Sequence, residues 1–197
     1  MIERRSAIAA LLAQSSKTRQ AAQPAVTFSE RRPLAILQVT AFGSTQQEAA
    51  AVLTSTFNID LPPPNRMTSN AILSVRLLGP GIWQIVGDPY ATTQAQALRV
   101  ALSGVASVVD LSHARTAIVV SGTAAQRTLN KFCSLDLTLE HFGVGAATNT
   151  RFGHIGMTLA RGPNELTFEL LVFRGYAEHV LEALLEGGAE FGLKVEY

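Results

Sequence analysis

Apolar and polar positions alternate along this chain in a repeating order. Leu34 to Phe42 (LAILQVTAF) carries the β-branched and apolar run of a strand. Ser44 to Phe57 (STQQEAAAVLTSTF) switches to helical spacing, with Ser44 as N-cap and Gln47 at the capping-box position. Leu61-Pro62-Pro63-Pro64 breaks the chain, because proline lacks the backbone N–H that either element needs. Ile72 to Leu78 and Ile82 to Val86 read as strands around Gly79-Pro80-Gly81. Thr92 to Leu102 reads as a helix and Val105 to Leu111 as a strand.

The order then starts again. Thr116 to Ser121 is a strand, and Thr123 to Phe132 a helix with Thr123 as cap. A loop from Ser134 to about Thr150 follows. Phe152 to Leu159 and Leu166 to Phe173 are strands around Gly162-Pro163. Tyr176 to Leu185 is a helix, and Phe191 to Tyr197 a last strand.

Each half therefore reads strand, helix, strand, strand, helix, strand, the split βαβ or ferredoxin-like order. Local sequence supports a duplication. Gly43-Ser44 opens one helix and Gly122-Thr123 its counterpart. Phe57-Asn58-Ile59-Asp60-Leu61 follows the first, and Cys133-Ser134-Leu135-Asp136-Leu137 the second. The hairpins turn at Leu78-Gly79-Pro80 and Arg161-Gly162-Pro163. The expected class is α+β, with two tandem ferredoxin-like halves packed together. The boundaries are residues 1–30 for an N-terminal arm with a short helix, 31–112 for the first half and 113–197 for the second. A sheet with helices on one face must bury its other face or keep it polar. The nearly continuous apolar runs of Ile82 to Val86 and Leu166 to Phe173 suit burial on both sides.

Composition adds one fact to this picture. Charged residues are 16% of the 197, against 47% hydrophobic. An ordinary soluble domain is roughly a quarter charged. Two readings stay open: a surface partly covered by partners, or one rich in Ser, Thr and Gln. The net charge of +1 offers no basic face of the kind nucleic acid requires. The single cysteine, Cys133, excludes an intrachain disulfide and fits a cytoplasmic setting. No apolar run approaches the ~18 to 20 residues of a membrane span. Residues Met1 to Gln23 carry Arg4, Arg5, Lys17 and Arg19 against one acid, Glu3. That composition overlaps with transit peptides; the preferred expectation is a short helix, Ser6 to Leu12, on a mobile arm.

Candidate chemistry is sparse. Asp110, Ser112 and His113 bring together the residue types of a nucleophilic relay. They lie too close in sequence for that geometry, and no Gly-x-Ser-x-Gly elbow exposes the serine. A polar turn after a strand is the expected role. Phe142-Gly143-Val144-Gly145-Ala146-Ala147-Thr148 has the glycines of a dinucleotide loop. It lacks the preceding strand and following helix that would bring phosphate to a helix N-terminus. A flexible crossover loop is expected. His113, His141, His154 and His179 lie apart, without metal-ligand spacing. Cys133 is expected to pack as a small apolar group, and Trp83 to anchor a core or an interface. Glu178, Glu182 and Glu186 recur every four residues, a stripe that faces solvent or a basic partner. No catalytic, cofactor-binding or metal-binding residue is assigned.

One stretch carries more. Val108 to Arg161 contains Val109-Asp110-Leu111-Ser112, then Ser121-Gly122-x-x-Ala125 opening a helix, then Leu135-Asp136-Leu137. Phe142, Gly145, Thr150 and a strand ending in Leu159-Ala160-Arg161 follow. Arg5-Ser6, Leu11-Leu12, Leu61-Pro62 and Leu78-Gly79-Pro80-x-x-Trp83 extend the pattern. This resembles the gamma subunit of heterotetrameric sarcosine oxidase and, more distantly, the aminomethyltransferase (glycine-cleavage T-protein) family. The resemblance implies the paired ferredoxin-like halves of a folate-binding domain. It implies a non-catalytic structural subunit, with alpha, beta and delta subunits as partners. The complex it implies oxidises sarcosine or a related N-methyl amino acid and can pass the one-carbon unit to tetrahydrofolate. FAD, FMN, NAD and zinc are then expected in the other subunits. The segments that complete a T-protein folate pocket have no counterpart before Tyr197, so no folate residue carries over. A stand-alone folate-binding or one-carbon transfer protein is the alternative. A cryptic enzyme using Asp110 or His113 is the third reading.

Overall fold

The computed structural model describes residues 5–32, 34–89 and 94–197. The chain divides into two compact units, one of residues 33–112 and one that joins residues 1–32 to 113–197.

The unit of residues 33–112 holds β2 (Ala35–Ala41), α2 (Gln46–Phe57), β3 (Arg66–Ser69), β4 (Leu73–Gly79), β5 (Ile82–Gly87), α3 (Ala95–Ala101) and β6 (Ala106–Asp110). Its sheet runs β3-β4-β5-β2-β6, antiparallel throughout. That is the ferredoxin-like order with one extra strand, β3, at the edge beside β4. Alternation along the strands decides the faces. Leu37, Val39, Val75, Trp83 and Ile85 point to one side and form a core with Ala49, Leu53 and Phe57 of α2 and Leu98 of α3. Ala49, Leu53 and Phe57 are four residues apart and make a single helical stripe. Each buried side chain of the size of Leu53 or Phe57 contributes about 1.5–3 kcal/mol through removal from water. On the opposite face Ile36 and Val86 are fully buried, as their apolar runs predict. Arg76 and Gln84 sit directly opposite each other in this second face, both buried.

The other unit holds α1 (Ala9–Thr18) and β1 (Val26–Glu30) from the N-terminal stretch. It continues with β7 (Arg115–Ser121), α4 (Ala125–Leu129), β8 (Ala147–Phe152), β9 (Ile155–Arg161), β10 (Thr167–Phe173), α5 (Ala177–Gly188) and β11 (Leu193–Val195). The sheet order is β11-β1-β7-β10-β9-β8. Without β1 this would repeat the order of the other unit, extra edge strand included. β1 is inserted where β6 meets β2 in the first copy, pairing parallel to β11 and antiparallel to β7. Val26 and Phe28 then enter a core with Ile118, Val120, Phe168, Leu170, Leu181 and Leu184. On the other sheet face Ala117, Ala160 and Leu171 are buried as well.

Several local expectations change. The N-terminal stretch is built into a core: Ile8 and Leu12 are buried beside the β1 residues, and the helix runs Ala9–Thr18, not Ser6 to Leu12. α2 starts after Thr45, not Ser44, and has no side-chain cap. The Thr45 hydroxyl instead donates within the turn, 2.7 Å from the Phe42 carbonyl and 2.6 Å from that of Val105. α4 likewise starts after Ala124, without a cap from Thr123. The strand expected from Phe152 to Leu159 is β9, which starts at Ile155, and the end of the expected loop is a further strand, β8, paired antiparallel to it about Gly153 and His154. The helix expected from Thr92 includes residues outside those described; its described part is α3.

Candidate functional site

The Asp110–Ser112–His113 turn is held by backbone bonds. The Ser112 N–H donates to Asp110 Oδ1 at 2.8 Å. The Ile36 N–H donates to Ser112 Oγ at 2.9 Å, and the Leu111 N–H to the Ile36 carbonyl at 2.8 Å. Ser112 is buried, so its oxygen spends its acceptor capacity on satisfying a backbone amide that would otherwise be orphaned. His113 is exposed. The turn clasps the exit of β6 to the entry of β2.

The glycine loop is clamped, contrary to the flexible crossover expected. Asp136 Oδ1 accepts the Thr138 N–H at 2.9 Å, and His141 Nδ1 lies 3.0 Å from Asp136 Oδ2. The Thr138 backbone N–H foremost, then its hydroxyl and His141, hold the Asp136 carboxyl below the usual range. Phe142 is buried in the core. Gly145 takes φ +77, a left-handed conformation natural to glycine. A strand, β8, follows the loop, so no helix N-terminus waits there for a phosphate.

What holds this loop is a residue that sequence reasoning missed as a working group. Arg161, at the end of β9, is 1% exposed. Its Nε donates to the Phe142 carbonyl at 2.5 Å, and its two terminal nitrogens donate to the carbonyls of Leu137 and Glu165. The guanidinium lies 4.3 Å over the Phe168 ring. Burial lowers its pKa, partly offset by the charge of Glu165. An arginine stays protonated through such shifts. The available sequence signal was a lone charge closing an apolar strand beside Gly162-Pro163.

The remaining candidates are engaged in the fold. Trp83 is buried in its unit's core, opposite Val39 and Leu77 on the neighbouring strands. Cys133 is buried with its Sγ 3.8 Å from Thr150 Oγ1. Among the described residues no group of His, Cys, Asp and Glu could hold a metal ion. Glu178, Glu182 and Glu186 are exposed on α5. Glu182 and Glu186 border a cleft of about 460 Å³ with Leu11, Arg19, Leu185 and Ala189. None of the described helices is long and apolar enough to cross a membrane.

With this geometry in hand, likeness to known proteins becomes informative. Residues 72–195 match the family described as the GCVT N-terminal domain. Sarcosine oxidase subunit gamma of Corynebacterium sp. (strain P-1) is 30% identical over 118 residues, 60% of this chain and 58% of that protein. The protein of the same name from Arthrobacter sp is 33% identical over 119 residues, again 60% and 58%. The matches thus span less than two thirds of these relatives. Among solved structures, a chain of heterotetrameric sarcosine oxidase from Corynebacterium sp. U-96, in complex with pyrrole 2-carboxylate, superposes with a TM-score of 0.83. It is 29% identical and covered over 96% of both chains. Glycine cleavage system aminomethyltransferase T from Bartonella henselae has a TM-score of 0.61 at 16% identity, covering 89% of this chain and 48% of that one. This second likeness is one of fold.

Proposed function

This chain belongs to the GCVT N-terminal domain family, and from that membership we propose that it serves as the gamma-type subunit of a heterotetrameric sarcosine oxidase-like complex. The observation that carries the reading is the superposition on a chain of the Corynebacterium sp. U-96 heterotetrameric sarcosine oxidase over 96% of both chains. Its partners are alpha, beta and delta subunits. The assembly oxidatively demethylates sarcosine or a related N-methyl amino acid in the cytoplasm. FAD, FMN, NAD and zinc reside in the other subunits, and tetrahydrofolate accepts the one-carbon unit.

The role of this chain is structural. Its candidate chemical groups are occupied within the fold: Ser112 with the Ile36 amide, Cys133 in a core, and Arg161 with three carbonyls. Low charge density fits a surface partly covered in a permanent assembly, since such interfaces are large and apolar.

The test is to tag the chain, purify it from its native host at low salt, and record particle mass with the visible spectrum. A particle far heavier than 21.0 kDa with flavin absorbance is the expected result. A colourless, stable monomer overturns the reading and favours a stand-alone folate-binding protein.

A further inference from the structure

Helices α1 and α5 leave a cleft of about 460 Å³ between them, inside the unit that joins residues 1–32 to 113–197. Leu11 of α1 and Arg19, its C-cap, line one wall. Glu182, Leu185 and Glu186 of α5 and Ala189 just beyond it line the other. Those four positions share one helical face. Leu185 is buried, and Leu11 packs against the same core cluster. The lining is therefore apolar along Leu11, Leu185 and Ala189, and carries both signs of charge at Arg19, Glu182 and Glu186. All three charged side chains are exposed.

These charges do not close on one another. Among the described residues, no ion pair links Arg19 to Glu182 or Glu186. Glu190, four residues beyond Glu186, is by contrast paired with Lys131. Glu182 and Glu186 also stand one helical turn apart, where like charges weaken a helix. A cation bound between them offsets that repulsion.

We propose that this cleft binds an amino acid with an apolar side chain as its zwitterion, Arg19 taking the carboxylate and Glu182 and Glu186 the ammonium. The site is built by this chain alone, so it stands apart from the assembly role proposed above. Its volume lies in the range of small-molecule sites, about 300–1,000 Å³. The lining selects the ligand class. A ligand with only a carboxylate would satisfy Arg19 and meet two glutamates of its own sign; one with only an amine would leave Arg19 opposed. A wholly apolar ligand would strip water from three charges without replacing it. A zwitterion answers both signs, and its side chain covers Leu11, Leu185 and Ala189. Arginine suits the carboxylate because its planar fork donates two parallel N–H bonds.

The test is calorimetric titration of the full-length chain with L-leucine, with isocaproate, which lacks the amine, and with isoamylamine, which lacks the carboxylate. Leucine binding should saturate, and each truncated analogue should bind about tenfold more weakly. Arg19→Gln should reduce leucine to the level of the amine. Glu182→Gln/Glu186→Gln should reduce it to the level of the acid. The substituted side chains are exposed, so the variants should fold, and circular dichroism checks this. The analogue series on the wild-type chain decides the ligand class even if a variant fails to fold. Absence of saturable leucine binding overturns the site. Equal binding of leucine and isoamylamine overturns the zwitterion and points to a basic segment of a partner instead. Folded variants that bind leucine as wild type does place the ligand elsewhere and overturn the cleft.

Discussion

Arg161 donates through Nε to the carbonyl of Phe142, 2.5 Å away, and so fastens a 19-residue excursion of chain back to the strand that follows it. The same side chain bonds the Leu137 and Glu165 carbonyls. Removing it as Arg161→Met would take this donor from the buried Phe142 and Leu137 carbonyls, at about 1–3 kcal/mol for each group left unsatisfied. Arg161→Met is expected to unfold at markedly lower urea than wild type. Arg161→Lys should recover only part of the loss, because one ammonium cannot reproduce the planar fork. Equilibrium denaturation measures both; a wild-type midpoint for the Met variant would refute the clamp.

Ser112→Ala separates structure from chemistry. It deletes the acceptor of the Ile36 N–H inside a buried turn. The expected cost is about 1–3 kcal/mol of stability. Turnover per assembled complex should stay at the wild-type value, and likewise in Asp110→Asn and His113→Ala. Loss of turnover in an intact complex would revive the reading of this turn as a catalytic group.

Gly188→Ala should destabilise the chain although alanine is the better helix former by about 1 kcal/mol. A methyl group at Gly188 would come within 2.9 Å of Phe28 and 3.1 Å of Val26. Both neighbours are fully buried on β1 and cannot move aside. Overpacking of this kind costs about 1–3 kcal/mol. A thermal melt gives the sign directly, and a rise in Tm would show that helix propensity outweighs packing here.

Acid should weaken the unit of residues 1–32 and 113–197. The Glu190 carboxyl is held low chiefly by the Lys131 ammonium hydrogen bond and then by its charge. Asp136 is held low chiefly by the Thr138 N–H. A carboxyl with a depressed folded pKa contributes stability that is full above its unfolded value and lost as pH falls through the folded one. The loss should therefore appear below about pH 4–4.5, the ordinary carboxylate range. An Asp136→Asn/Glu190→Gln chain should show a shallower acid limb in pH-dependent melts. Both carboxyls are exposed, so the difference is small and fades in high salt.

The periodic elements were legible from sequence wherever one stripe or one alternation was long enough. β2, α2, β4, β5, β7, β10 and α5 lie within a few residues of their expected bounds. The duplication was legible too, because Gly122, Leu135-Asp136-Leu137 and Gly162-Pro163 mark the same turns in both copies. Three strands escaped. β1 is five residues, VTFSE, and β3 is four, RMTS, each with too few apolar positions to stand out. β8 (ATNTRF) is an edge strand with polar residues on its open side, so its alternation is blurred.

The candidate groups show the same division. That Asp110 and Ser112 lie in a polar turn after a strand followed from their spacing alone. That Ser112 receives the Ile36 amide did not, for the partners are 76 residues apart.

By itself, then, the sequence determined the class of each long element, the repeat and the family likeness, because these depend on local periodicity and on short motifs at turns. The tertiary structure alone decided that β1 enters the sheet between β11 and β7. It alone decided that Arg161 clamps the glycine loop and that Arg115 meets Phe173. Each of these pairings joins residues far apart in the chain, and its energy comes from burial and hydrogen bonds that exist only after the chain has closed on itself.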